Sequence, residues 1–161
     1  MPLAIPTRRM PSPNDISTFL ADIMGRPVQS VEKTVDLADT GTIWFSGVFV
    51  EDTGTVSGAY ITDLPGAAYA GASLAMIPKP VADESITTGE LAASLRENVA
   101  EVANIASSLL NGAVFPHLRM RDFVDGIPDE VRDLVVKANG RKDLELTVGD
   151  YGTGLLVLLA R

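Results

Sequence analysis

The chain has 161 residues, 46% of them hydrophobic and 21% charged, which suits a single domain with its own core. Its 13 Lys and Arg against 21 Asp and Glu give a net charge of -8, which argues against a nucleic acid or an anionic membrane as partner. There is no Cys, so disulfides, thiolate metal sites and thiol nucleophiles are excluded, and one His, His117, cannot build a His-rich metal site.

Residues 1–13 contain four prolines and the pair Arg8-Arg9, and read as a flexible N-terminal tail. Residues 14–161 read as one domain. Asn14 or Asp15 is placed to cap a helix through Ile16, Phe19, Leu20 and Ile23, which Gly25 and Pro27 stop. Residues 28–37 alternate as a strand, with Val31 and Val35 expected in the core. After the turn Asp39-Thr40-Gly41-Thr42, the run IWFSGVFV is β-branched and aromatic, as a buried strand requires. Asp52-Thr53-Gly54-Thr55 is a second turn, and residues 56–62 a third strand, so the spacing predicts an antiparallel meander. A helix follows over 64–76, with Pro65 in its first turn and Pro78 and Pro80 ending it. Residues 83–89 read as a polar linker.

The stretch LAASLRENVAEVANIASSLL, residues 91–110, has no Pro or Gly and predicts a long helix. Leu91, Leu95, Val102, Ala106 and Leu109 recur at helical spacing and form its apolar stripe. At about 100° per residue, Glu97, Glu101, Asn104 and Ser108 form a second row away from that stripe. Glu101 and Asn104 put a carboxylate and a carboxamide side by side, one turn apart. Their small neighbours Ala93, Ala100 and Ala103 suggest that a partner could approach the helix closely.

Beyond Gly112, residues 117–124 read as a charged strand and 129–138 as a short helix with acids in its first turn. Residues 144–148 alternate as a half-exposed strand, Asp150 to Gly154 is a turn, and residues 155–160 form a buried strand. The turns at Asp52 and Asp150 echo each other, and each half of the chain then contributes three strands. Such a pattern predicts an α+β fold with helices on one face of an antiparallel sheet. No run of apolar residues is long enough to span a bilayer, and the N-terminus lacks the apolar run of a signal peptide, which suggests a cytoplasmic protein.

No segment carries the spacing of a phosphate-binding loop or a dinucleotide fingerprint, and Gly66, Gly71 and Gly89 read as packing or capping positions. The pair Glu101/Asn104 is the one place where chemistry is expected.

The order of elements, the strand ending SGVFV followed by GTVSGAYIT, and the helix ENVAEVANIASSLLNG resemble the CheX/CheC family of chemotaxis phosphatases. The resemblance runs from Asp15 to Arg161 and centres on a Glu-x-x-Asn motif, here Glu101-Val102-Ala103-Asn104 followed by Ile105. It implies helices packed on an antiparallel six-stranded sheet with an internal pseudo-two-fold. It implies hydrolysis of the aspartyl phosphate of a response-regulator receiver domain, with Asn104 orienting the attacking water and Glu101 meeting a basic group of the regulator. Glu97 and Ser108, in the same row, are then partner-binding candidates. No cofactor is expected in this chain; Mg2+ is expected on the receiver domain. The single motif resembles CheX more than two-site CheC relatives, and CheX-like proteins imply a homodimer. The alternative reading is a non-catalytic binding or switch-scaffold module that kept the fold and docks through the same helix.

Overall fold

The computed structural model describes residues 9–112 and 115–161; residues 1–8 of the expected tail lie outside these. Its sheet follows from strands that are apolar on both sides. In β6 (Gly152–Ala160), Leu156, Leu158 and Ala160 are buried on one face and Val157 and Leu159 on the other. β2 (Trp44–Val50) does the same with Phe45 and Phe49 against Trp44 and Val48. Strands of this kind need a layer on each side.

Six strands form one antiparallel sheet in the order β1-β5-β6-β3-β2-β4. The others are β1 (Val28–Glu32), β3 (Val56–Asp63), β4 (Arg119–Asp125) and β5 (Gly140–Val148). Moving every strand three places along the chain maps this order onto its own reverse, so a pseudo-two-fold passes between β6 and β3. The hairpins β2–β3 and β5–β6 are mates, as the echoed turns suggest. The edge strands are exchanged between halves: β1 pairs with β5, and β4 with β2.

That exchange corrects the expected meander, since β1 does not pair with β2. It also shortens the first strand. β1 ends at Glu32, and Val31 is 63% exposed rather than in the core. The Asp143 backbone carbonyl accepts from Lys33 N (3.2 Å), and its carboxylate accepts from Val35 N (2.9 Å). These bonds turn the chain off the ladder, and Val35 and Leu37 become buried on the far face.

The near face of the sheet is covered by α1 (Pro13–Met24), α2 (Leu64–Leu74) and α4 (Ala93–Ala106). α5 (Asp129–Lys137) lies on the other face, where Val131 and Leu134 join Val48, Ile61, Val157 and Leu159. Helices therefore cover both faces, not one as expected, because the central strands present aliphatic side chains on both. The segment expected as a polar linker belongs to α3 (Lys79–Thr88). Pro80 does not stop it, since a proline in the first helical turn removes an N–H that has no partner there anyway. Only Ala82 and Ser85 of this helix are buried, too few apolar residues to show a period in sequence.

A close backbone contact and a side-chain cap set how α2 sits. Gly66, in the first turn of α2, lies against Gly154 of β6; a Cβ on Gly154 would fall 2.3 Å from the Gly66 nitrogen. Asp63 caps α2 by accepting from Gly66 N, and the same carboxylate oxygen accepts from Leu155 N, each at 2.9 Å. No helix among the described residues is long and apolar enough to cross a membrane.

Candidate functional site

α4 begins after Ala92, which gives it no side-chain cap, and its placement comes from packing rather than from its ends. Leu95, Val99, Val102, Ala103 and Ala106 are buried. At roughly 1.5–3 kcal/mol for each large aliphatic side chain, this face dominates the energetics of the helix. Its register is set by contacts that tolerate no extra atoms. A Cβ on Gly71 of α2 would lie 2.3 Å from the Leu95 carbonyl oxygen, and Asn98 Nδ2 donates to the Gly71 carbonyl at 3.0 Å. Beneath the helix, a Cβ on Gly47 of β2 would lie 3.1 Å from that of Ala103. Arg96 ties the first turn to β4: it pairs with Asp125, donates from Nη2 to the Phe123 carbonyl (3.2 Å), and stands 5.6 Å from the Phe123 ring centre.

With that face fixed, Glu97, Glu101, Asn104 and Ser108 all point to solvent, as their spacing predicts. No side-chain hydrogen bond or ion pair engages Glu97, Glu101 or Asn104 among the described residues. Ser108 is different: its hydroxyl donates to the Ile105 carbonyl at 2.9 Å, as Ser107 donates to that of Asn104 at 2.7 Å. These two serines satisfy carbonyls near the C-terminal end of the helix. There the helix tightens into a 3-10 turn, Ser107–Leu110, so the expected continuous helix to Leu110 is α-helical only to Ala106. Leu91 precedes the helix and is only half-buried. Asn111 then clamps the next segment, accepting from Leu118 N (2.8 Å) and donating to its carbonyl (3.1 Å).

Of the small neighbours expected to open the backbone near Asn104, Ala103 faces the sheet and is fully buried. Its small size serves the close contact with Gly47. The residue beside Asn104 that spacing left unassigned is Ile105, which is 36% exposed. His117 is exposed in the loop before β4.

The row is a convex helix surface, not a cavity. A cleft of about 690 Å3 lies elsewhere, at the end of the sheet, between Ile43, Trp44, Leu91, Arg96 and Arg132. Glu97, Glu101 and Asn104 do not line it. Among the described residues, no group of three His, Asp or Glu could hold a metal ion. What the row offers is a carboxylate and a carboxamide, exposed and without a partner among the described residues, the carboxamide able both to donate and to accept hydrogen bonds.

No protein-family model matches the chain, and no curated protein matches it. Solved structures do. CheX in the CheX–CheY–BeF3–Mg2+ complex from Borrelia burgdorferi is similar at 17% identity with a TM-score of 0.50, over 89% of this chain and 90% of that one. The FliM middle domain from H. pylori is similar at 13% identity with a TM-score of 0.49, over 92% of this chain and 84% of that one. FliY from Thermotoga maritima is similar at 10% identity with a TM-score of 0.39, over 89% and 81% of the two chains. The exchanged edge strands, the paired hairpins and the likeness to CheX agree: this chain has the fold of the CheX/CheC family, helices packed on a six-stranded antiparallel sheet.

Proposed function

We propose that the protein hydrolyses the aspartyl phosphate of a response-regulator receiver domain, with Asn104 as the water-orienting group and Glu101 as the docking carboxylate. The observation that carries this reading is that both side chains are exposed on one face of α4 and neither makes a side-chain hydrogen bond or ion pair among the described residues. The similar CheX structure was solved in complex with CheY, BeF3 and Mg2+, and the Glu-x-x-Asn motif is the part of the sequence resemblance that bears on chemistry.

An acyl phosphate is already activated, so the main requirement is a water held in line with phosphorus. The carboxamide oxygen of Asn104 would accept a hydrogen bond from that water while adding no charge beside the phosphoryl oxygens. Water attacks phosphorus, the bond to the aspartyl oxygen breaks, and the receiver's carboxylate and inorganic phosphate are released. Mg2+ would belong to the receiver domain, not to this chain. A carboxylate next to the phosphoryl group would repel it, so Glu101 would meet a cation of the receiver instead, with Glu97 and Ser108 beside the contact. The expected setting is cytoplasmic.

A homodimer belongs to the same reading. β1 is a five-residue edge strand with Val31 exposed, and an open edge is a liability unless covered. Light scattering at micromolar concentrations is expected to give twice the mass of the chain; the mass of a single chain would remove the dimer and leave the fold untouched.

The deciding experiment uses receiver domains of the protein's own organism, phosphorylated with a small phosphodonor. The wild-type protein is expected to accelerate loss of phosphate from one of them, and Asn104→Ala to abolish the acceleration. Glu101→Lys is expected to weaken docking more than Glu101→Ala, because it meets the receiver's basic group with a like charge. Binding without acceleration would establish the scaffold reading. An Asn104→Ala variant as active as wild type would end the hydrolytic role of this helix.

A further inference from the structure

The cleft at the end of the sheet, about 690 Å3, is of a size that holds a small molecule. Its apolar lining includes Ile43, which is 44% exposed, the half-buried Leu91, and Ile127. Its charged lining is three carboxylates and two guanidinium groups, most of them already engaged. Asp125 pairs with Arg96, whose Nη2 donates to the Phe123 carbonyl (3.2 Å). Asp39 accepts from Gly41 N (2.9 Å) and from Thr42 Oγ1 (2.7 Å) within its own turn. Glu90 and Arg132 remain, both exposed, and neither side chain has a partner among the described residues. A second donor is also unmatched. Trp44 is 6% exposed, and its buried Nε1 has no hydrogen-bond partner among the described residues. Trp44 packs with Ile127 on the face of the sheet that α5 covers, and α5 carries Arg132, so the two donors stand on the same side of the sheet.

We infer that this cleft binds a small organic monocarboxylate, its carboxylate on Arg132 and the Trp44 Nε1, its apolar body against Ile43, Leu91 and Ile127. Both unmatched groups on that side are donors, which an acceptor-only carboxylate satisfies and an ammonium group does not. A guanidinium fork also matches the two oxygens of a carboxylate. A buried donor without an acceptor is rare in native folds, and a bound oxygen would remove the exception. Glu90 does not compete for Arg132: it precedes α4, which covers the opposite face of the sheet from α5, and it makes no ion pair. The charge balance limits the ligand to one negative charge. With three acids to two arginines in the lining, phosphate or a dicarboxylate would meet net repulsion. This inference does not depend on the receiver reading, since Glu97, Glu101 and Asn104 do not line the cleft.

Trp44 is the only tryptophan of the chain, so its fluorescence and its indole N–H resonance report on the cleft without a label. Hexanoate and phenylacetate are the probes, with hexanol, acetate, succinate and inorganic phosphate titrated beside them. Hexanoate or phenylacetate is expected to shift both Trp44 signals saturably, with a Kd of about 1 mM for so small a ligand. Hexanol lacks the carboxylate and acetate the apolar body, and each is expected to bind about tenfold more weakly or worse. Arg132→Gln should weaken hexanoate binding about tenfold or more. Because Arg132 is exposed and has no partner among the described residues, the variant should fold as wild type does, which the fluorescence of the ligand-free protein checks. If neither acid moves the Trp44 signals at about 10 mM, if hexanol moves them equally well, or if Arg132→Gln binds as wild type does, the cleft is not a carboxylate site. Tighter binding of succinate or phosphate would overturn the limit to one charge.

Discussion

α1 and α4 are pseudo-two-fold mates, each the helix that leads into the first strand of its half, and they are built alike on the inside. Both bury residues at i, i+1, i+4 and i+8: Ile16, Ser17, Leu20 and Met24 in α1, and Val102, Ala103, Ala106 and Leu110 in α4 with its 3-10 extension. Aligned on that pattern, Asp15 stands where α4 has Glu101, and Thr18 where α4 has Asn104. The outside faces differ in what uses them. Ser12 and Asp15 form a reciprocal cap at the start of α1: Ser12 N donates to the Asp15 carboxylate at 3.1 Å, and Asp15 N to Ser12 Oγ at 3.0 Å. Gly25, at φ 67°, ends the helix. α4 has no side-chain cap at its start, and its Glu101 carboxylate and Asn104 carboxamide have no partner among the described residues. α1 uses its outward carboxylate to cap its own start; α4 is held by its neighbours.

The largest effect that would expose this difference is expected at the seat of α4. Gly71→Ala places a methyl group against the Leu95 carbonyl, which is backbone and cannot rotate away. Overpacking of this kind costs about 3 kcal/mol, and urea denaturation is the measurement. A loss under 1 kcal/mol would mean that α4 shifts freely on α2 and is not held by its neighbours. The matching change in α1, Gly25→Ala, meets nothing within 4 Å and costs only the left-handed backbone, about 1–2 kcal/mol.

Next comes the cap itself. Ser12→Ala should cost about 1 kcal/mol, since it removes the side-chain acceptor of an N-cap. Acid adds an independent reading. The Asp15 carboxyl is held below its ordinary range, first by the Ser12 backbone N–H and then by the Ser12 side chain. A carboxylate with a lowered folded pKa contributes stability above its unfolded value, near pH 4, and loses it as pH falls through the lower folded value. Asp15→Asn should remove that part of the acid dependence, so that the variant loses stability less steeply than wild type across the same window. If wild type and Asp15→Asn fall in parallel below pH 4, the capping box is not a stabilising element of α1.

The two helices were not equally legible in the sequence, nor were the strands of the sheet beneath them. Ser12 escaped as the cap because Asn14 and Asp15 are also good capping residues, and the choice depends on where Pro13 sits. The outward row of α4 was legible because Ala and Leu at helical spacing leave few ways to orient it. Ile105 was not, because it falls in neither the apolar stripe nor the polar row, and spacing alone leaves it unassigned. The structure shows Ala103 against Gly47 of the sheet and Ile105 turned outward. The partner of β1 was not legible either. β2 is its neighbour in sequence, but β5 is its neighbour in the sheet, and that choice depends on Asp143, more than a hundred residues away from Val35.

The smallest effect is the most diagnostic. Asn104→Ala replaces an exposed residue with a better helix former, worth about 0.5 kcal/mol, and removes no hydrogen bond that the described residues make. Stability should therefore rise slightly, within about 0.5 kcal/mol, while any hydrolysis of receiver phosphate disappears. A residue whose removal strengthens the fold and abolishes an activity is kept for the activity, the usual mark of a functional position. The control in α1 is Thr18→Ala, at the corresponding outward place: it too should raise stability by a few tenths of a kcal/mol, since Thr is also the poorer helix former, but with no change in hydrolysis. Thermal and urea unfolding of both variants, run beside the phosphatase assay, make the comparison. If Asn104→Ala instead loses more than 1 kcal/mol, its carboxamide has a structural partner, and the contrast between an occupied helix and a free one does not hold.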